Sequence, residues 1–386
     1  MKILNVDVMI DPITGGGGVE RTFQMSKYLV HSNQECTLLA TNLRASTKRI
    51  KALSGVKVVL LNCLFARFYI PSFSYAQIKQ IVASCDIIHM MQHWTALNAI
   101  VYIIARQLNK PYVICPAGSL PQLGRSKVIK NIYNLIIGNR IIRHASGHIA
   151  ISPDEIVQFA KYSIHPKQVS LIPNGINVEN LCFQGDNDFK KKYGVGAGKF
   201  ILFMGRLNAI KGPDLLLDAF IQIHEKLPNY HLVFGGPDEG LLQELKNKVL
   251  LHNLDYRIHF LGFLSGNDKS KAYDAADFLA IPSRQEAMSI VVLEAGVTAT
   301  PVLITDQCGM NIIEKIKGGK VVPATRDGLQ QGILDMTNSP TNLLKMGNNL
   351  KGYTYENFRW DSIIKKFLAL YESILKNKNI ILSETD

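Results

Sequence analysis

The stretch KFILFMGRLNAIKGPDLLLDAFIQIHEKL, Lys199 to Leu227, decides the fold. KFILFM is an unbroken apolar run, the pattern of a parallel strand buried on both faces. Gly205 ends it. DLLLDAFIQIHEKL then spaces its apolar residues as an amphipathic helix does, opened by Pro213, a favoured first helical residue. Strand, short loop and helix in this order read as part of a βαβ unit. The loop is flanked by Arg206 and Lys211, two cations five residues apart at a strand's carboxyl end. Such a pair suits a diphosphate. The plainer reading is a surface loop with two solvated charges.

The same alternation runs along the whole chain. KILNVDVMI, CTLLATN, VKVVLLN, DIIHMM, PYVICPA and GHIAIS read as strands of a first half. KFILFMG, YHLVFGG, RIHFLG, DFLAIPS, PVLITD and KVVPA read as strands of a second. Two doubly wound parallel-sheet domains of α/β class are expected, with ligands at the carboxyl ends of the strands. The polar, glycine-rich FQGDNDFKKKYGVGAGK, Phe183 to Lys199, places a linker there or slightly before. The length of 386 residues suits two domains, and 47% apolar residues allow a sizeable core. Only 19% are charged, which argues against disorder. No run of about 18 uninterrupted apolar residues is present, so no spanning helix is expected. MKILNVDVMIDP reads as a first strand and not as a signal peptide. The six cysteines are scattered without a CxxC pair. They read as free thiols in a reducing compartment, which points to the cytoplasm and away from structural zinc.

The net charge of +12 is uneven. Between Asp86 and Asp154 no acidic residue occurs, while Arg106, Lys110, Arg125, Lys127, Lys130, Arg140 and Arg143 do. Within it, SKVIKNIYNLIIGNRIIR mixes basic and apolar residues as a helix suited to an anionic membrane surface does. A core helix with a solvated basic face is the alternative. The basic residues are not interleaved with aromatics and no nucleic-acid motif is visible, so a nucleic-acid partner is not expected.

Two further segments carry chemistry. ITGGGGVERTF places Gly15 to Gly18 after the first strand, read as a loop before a helix starting near Val19. Such a loop lets backbone amides approach a phosphate at a helix N-terminus. It does not fit the dinucleotide fingerprint, whose third glycine would fall on Glu20. PSRQEAMSIVVLEAG, Pro282 to Gly296, holds Glu286 and Glu294 eight positions apart among apolar residues. Ser289 reads as an N-cap, with Glu294 in the second turn of the helix and Glu286 on the loop before it. The two carboxylates then meet different ends of one extended ligand.

Together these segments resemble the retaining nucleotide-sugar glycosyltransferases of family 4, with the GT-B architecture of two Rossmann-like domains facing across a cleft. The resemblance rests on the glycine loop, DIIH (Asp86 to His89), PNGIN (Pro173 to Asn177), GRLNAIKG, VFGG (Val233 to Gly236), FLGF (Phe260 to Phe263) and PSRQEAMSIVVLEAG. It implies an acceptor-side domain over residues 1–178 and a donor-binding domain over 179–360. A terminal helix, 361–386, is expected to pack back on the first. It implies that Glu294 binds the ribose diol, that Glu286 lies by the transferred sugar, and that Arg206 and Lys211 hold the diphosphate. Gly16, Gly17, Phe263, Ser289 and Ile290 are further donor contacts by the same resemblance. His89 and His93 are its acceptor-side candidates. No metal or other cofactor is implied beyond the nucleotide-sugar donor. The implied activity moves a hexose to a glycan or lipid-linked saccharide in cell-surface polysaccharide synthesis, on the cytoplasmic side of the plasma membrane. The chain departs from the family where EGFG is replaced by Glu286-Ala287-Met288-Ser289, and where only Ala117 and Gly118 end PYVICPAGS. These departures leave two readings open beside the transferase: a silent binding subunit, and another enzyme of this architecture such as a nucleotide-sugar epimerase.

Overall fold

All twelve apolar runs form strands in the computed structural model, which describes residues 1–121, 126–181 and 187–383. The chain divides into two units. The first comprises Met1–Gly175 and the segment from Trp360 onward; the second comprises Ile176–Arg359. The expected boundaries at 178 and 360 thus lie three residues and one residue beyond the observed crossings. The crossing lies at Gly175–Ile176, slightly before Phe183, and the described part of the expected linker belongs to the second unit. Phe189 in the short helix Phe189–Tyr193 is buried, with its ring 5.9 Å from that of Phe200 on the second unit's first strand. A polar, glycine-bearing sequence hid a helix pinned by one aromatic. Phe183 to Asp186 of that stretch lie outside the described residues.

In the first unit the main strands are β1 (Lys2–Val6), β2 (Glu35–Thr41), β3 (Lys57–Leu61), β6 (Ile87–Met91), β7 (Tyr112–Cys115), β8 (Gly147–Ala150) and β9 (Val169–Leu171). They form a parallel sheet in the order β3-β2-β1-β6-β7-β8-β9. β9 is too short and too exposed to register as an apolar run. A separate antiparallel hairpin, β4 (Cys63–Phe65) with β5 (Ile70–Pro71), follows β3. Helix Trp360–Ser383 packs on helix Pro12–His31, where the Trp360 and Tyr28 rings stack at 5.8 Å.

The second unit has β10 (Lys199–Met204), β11 (Tyr230–Gly235), β12 (Ile258–Gly262), β13 (Phe278–Ile281), β14 (Val302–Thr305) and β15 (Gly319–Val322). Their parallel order is β12-β11-β10-β13-β14-β15. In both sheets the chain winds outward from the first strand, then returns to its other side. Such a reversal point at the strands' carboxyl ends is where open α/β sheets bind ligands. In the second unit that point lies between β10 and β13; in the first, between β1 and β6.

One expectation changes. The glycines do not form an open loop: helical backbone runs from Pro12 to His31 and breaks only at Gly16, with φ 63° and ψ −152°. That conformation is essentially confined to glycine, so one residue supplies the kink. The basic segment is helical, Lys127–Tyr133, then a wider π turn Asn134–Gly138, then Asn139–Arg143. Ile141 and Ile142 are buried, whereas Val128, Ile129, Ile132, Leu135 and Ile136 are exposed. Arg125 lies outside the described residues.

Where β1 stops, Asp7 ties the first unit's crevice together. It is buried, and its Oδ1 accepts the Val8 amide at 2.7 Å and the Gln92 side-chain amide, from beyond β6, at 3.0 Å. Its Oδ2 accepts the Thr22 hydroxyl at 2.5 Å. Burial lifts its carboxyl to about 6, against these hydrogen bonds, which favour the ion. A carboxyl raised by folding keeps its proton while the unfolded chain has already lost it, so stability falls as pH rises from about 4 to about 6. The loss is about 3 kcal/mol at neutral pH, at about 1.4 kcal/mol per unit. Asp7→Asn removes this term. Its unfolding free energy relative to wild type should therefore rise by about 2 kcal/mol between pH 4 and pH 7. Urea titrations at the two pH values check this; a difference that does not change with pH contradicts it.

Candidate donor-binding site

The loops after β10 and β13 flank the second unit's crevice, and they hold the residues picked out in the sequence. After β10, Gly205 to Gly212 run to helix Pro213–Ile223. The Asn208 side chain accepts the Lys211 amide at 2.9 Å and closes the turn. Gly212 has φ 68°, and a Cβ there would lie 2.1 Å from the Pro282 carbonyl oxygen. The two loops therefore touch backbone to backbone, which only glycine permits. Arg284 reinforces the contact: its amide donates to Ile210 O at 2.8 Å and its guanidinium forks onto Asp214 at 2.9 and 2.5 Å.

Each cation of the first loop meets a carboxylate. Lys211 Nζ stands 2.8 Å from Glu286 Oε1, and Arg206 Nη1 stands 2.9 Å from Glu239 Oε1. Glu286 also accepts the Ser283 hydroxyl at 2.6 Å, and its amide donates to Gln307 O at 2.7 Å. Glu239 accepts the Asn208 amide group at 2.6 Å through its other oxygen. Glu239 is held from behind as well, since its backbone amide donates to Leu207 O at 3.2 Å.

Helix Ile290–Val297 starts four residues after Glu286. Ser289 occupies the N-cap position but makes no capping hydrogen bond, contrary to expectation. Its Oγ is buried and without a partner. A buried hydroxyl at a helix N-terminus with nothing to bond is a costly arrangement that an anion would relieve. Ile290 follows, half-buried. Glu294 lies one turn on, with Lys269 Nζ at 2.5 Å and the Tyr273 hydroxyl at 2.6 Å. Burial and the neighbouring carboxylate push the Tyr273 phenol well up, so it stays a donor. Phe263 follows Gly262 at the end of β12 and is 51% exposed.

The geometry thus brings Arg206, Lys211, Glu286, Ser289, Ile290 and Glu294 onto adjoining loops and one helix. The matches to known families cover nearly the whole chain. Residues 15–180 match the family described as Glycosyltransferase Family 4, and residues 186–376 match Glycosyl transferases group 1. The chain belongs to the family 4 glycosyltransferases.

Over 212 residues this family 4 chain is 32% identical to an uncharacterized glycosyltransferase of Methanocaldococcus jannaschii, covering 53% of this chain and 54% of that protein. Over 251 residues it is 25% identical to the D-inositol 3-phosphate glycosyltransferase of Jonesia denitrificans, covering 61% and 59%. The matched part is little more than half the length of these curated relatives. Among solved structures, Anabaena HepE in complex with UDP and glucose superposes with a TM-score of 0.81 at 20% identity, over 97% of this chain and 100% of that one. WaaG, a glycosyltransferase involved in lipopolysaccharide biosynthesis, gives 0.67 at 17% identity, over 94% and 98%. At these identities the likeness concerns the fold.

Gly16 and Gly17 lie in the first unit, at the break of helix Pro12–His31. Neither candidate histidine is placed to meet an acceptor. His89 is fully buried under the terminal helix, with Nδ1 2.6 Å from the Tyr371 hydroxyl and Nε2 3.2 Å from Met91 Sδ. His93 is buried among Trp94, Tyr133 and Tyr162, with Nε2 3.0 Å from Asn134 Oδ1. Burial pushes them down to about 3 and about 4, so both are neutral at physiological pH.

Sequence reasoning missed Glu239, Lys269 and Tyr273, which hold the site's charged groups. It also passed over the Asp-x-Asp stretch Asp186-Asn187-Asp188. Asp186 lies outside the described residues, Asn187 donates to Asp274 at 2.8 Å, and Asp188 pairs with Lys271 at 2.6 Å. Among the described residues no group of three His, Cys, Asp or Glu side chains is arranged to hold a metal ion.

Proposed function

We propose that this chain moves a hexose from a nucleotide diphosphate sugar to a hydroxyl of a glycan or lipid-linked saccharide, with retention at the anomeric carbon. The observation that carries the reading is the second unit's crevice. Lys211 pairs there with Glu286, just before a helix whose N-cap Ser289 keeps an orphan hydroxyl, Arg206 stands on the same loop as Lys211, and Glu294 lies one turn into the helix. A diphosphate would take the cations and Ser289, while Glu294, steadied by Lys269 and Tyr273, would accept hydrogen bonds from the ribose diol. Phe263 offers an exposed ring beyond them. UDP and glucose are the ligands of HepE, a relative in fold, and they suit the same chemistry.

The reaction breaks the bond between the anomeric carbon and the diphosphate oxygen and forms one to the acceptor oxygen on the same face. The acceptor proton passes to the departing phosphate oxygen, so no strong side-chain base is needed. The two cations and the helix N-terminus stabilise charge on the leaving group, and Glu286 orients the sugar. These side chains take the part that a metal ion plays elsewhere, and no metal or other cofactor enters the proposal. For setting, we favour cell-surface polysaccharide synthesis at the inner face of the plasma membrane, with the basic segment Lys127–Arg143 resting on anionic lipid. Among the described residues no helix is long and apolar enough to cross a membrane.

Sugars of UDP, GDP, ADP and CMP, incubated with and without lipid extract, test this. One of them should release its nucleotide only when the extract supplies an acceptor. On that donor, Glu294→Gln should chiefly raise KM, since a ribose contact is equal in ground and transition states. Glu286→Gln should chiefly lower kcat, by about two orders of magnitude. Acceptor-independent isomerisation of the sugar would mean an epimerase. Nucleotide binding without turnover of any donor would mean a silent subunit. The reverse KM and kcat pattern would overturn the two glutamate roles.

A further inference from the structure

The hairpin β4–β5 turns almost all of its apolar side chains outward. Leu64, Phe65, Phe68, Ile70, Phe73 and Tyr75 are all exposed within twelve residues, Leu64 by 64%. Pro71 is the one fully buried residue of the hairpin, and Tyr69 packs against Val8, Met9 and Val19 to anchor it. The Phe65 and Phe68 rings stack at 5.6 Å, and the Arg67 guanidinium lies 5.7 Å from the Phe68 ring. So dense an exposed patch marks a contact surface.

Charge decides what it contacts. From Cys36 to Pro153 the sequence holds one acidic residue, Asp86, against fourteen lysines and arginines. A protein partner would have to be both apolar and strongly acidic. An anionic bilayer offers both properties everywhere, and apolar side chains flanked by cations are the profile of an interfacial element. The patch also continues sideways. The Tyr75 hydroxyl donates to Gln107 at the end of helix Ala96–Gln107, where Ile103 is exposed. The other end of that helix accepts the Tyr133 hydroxyl from the basic helix at Thr95 O, 3.0 Å away. Leu135 of the basic helix is 82% exposed. Hairpin, central helix and basic helix thus lie side by side. Hairpin and basic helix both start from the carboxyl edge of the first sheet, after β3 and β7.

We propose that the hairpin is a second membrane-docking element, whose Leu64, Phe65 and Phe68 enter the acyl boundary of an anionic leaflet while the basic helix holds the headgroups. This rests on the lipid-linked acceptor reading, because docking so would bring the carboxyl edge of the first sheet to the lipid surface.

The test uses the full chain and vesicles of phosphatidylcholine, alone or with about 30% phosphatidylglycerol, at low and high salt. Wild type should float with the anionic vesicles at low salt. The triple variant Leu64→Ser, Phe65→Ser, Phe68→Ser should lose at least tenfold in partitioning while keeping its nucleotide affinity and thermal midpoint. Lys127→Gln with Arg140→Gln should lose binding in a salt-dependent way. Phe65→Trp should gain emission that brominated lipid quenches. The proposal is overturned if the triple variant floats as wild type does, or if the added emission of the Phe65→Trp variant ignores bound vesicles. It is equally overturned if wild type forms dimers that the triple variant does not, which would make the patch a protein interface. Loss of nucleotide binding in wild type would sink the transferase reading, while flotation would still decide the docking.

Discussion

The pairing of Lys211 with Glu286 at the crossing of two loops organises the second unit's crevice. The lysine comes from the loop after β10 and the glutamate from the loop after β13, so one ion pair spans the point where the chain reverses its winding. The pair is more than half shielded from solvent. Removing one member would leave the other charge buried with too few partners, a cost larger than the pair's own net stabilisation. The close approach at Gly212, the Arg284 fork onto Asp214 and the Ser283 hydroxyl all fix the distance between the loops. An arriving diphosphate would bring negative charge to a lysine already balanced. It would share or displace Glu286 and leave that carboxylate free to turn to the sugar.

Arg206 repeats the device with Glu239, and Glu294 mirrors it with Lys269 and Tyr273. On the proposed function, the charged groups that would take the donor are each held by an opposite charge. Their rotamers are restricted before binding, which lowers the entropy lost on complex formation. The Arg206–Glu239 pair, with about a third of each side chain exposed, contributes little to stability, about 0–1 kcal/mol, so it can be exchanged for ligand contacts at small cost.

How much of this the sequence showed depends on range. Strand runs and helix starts are local, so KFILFMG and DFLAIPS were legible, as were Arg206, Lys211, Glu286 and Glu294 on the loops and helix that follow them. Ser289 was legible as an N-cap position, but its unmade hydrogen bond was not. Partners from distant segments were hidden: Glu239 lies 33 residues from Arg206, and Lys269 lies 25 from Glu294. His89 was an acceptor-side candidate by resemblance, yet it lies inside β6 and its environment is set by Tyr371, 282 residues away. The four glycines looked like a loop because helix propensity counts against them; a single kink at Gly16 reconciles them with a helix. The hairpin escaped because most of its apolar side chains are exposed, with only Tyr69 and Pro71 held against the rest of the unit.

The central claim is that the second unit's crevice recognises a diphosphate through Arg206 and Lys211. Calorimetric titration with a nucleoside, its monophosphate and its diphosphate, using the base of the preferred donor, tests it most directly. Wild type should bind the diphosphate at least tenfold more tightly than the monophosphate, about 1.4 kcal/mol or more, with the gap shrinking as salt rises. In the folded double variant Arg206→Met, Lys211→Met the gap should vanish. Equal affinities in wild type, or a gap that survives in the variant, would contradict the account.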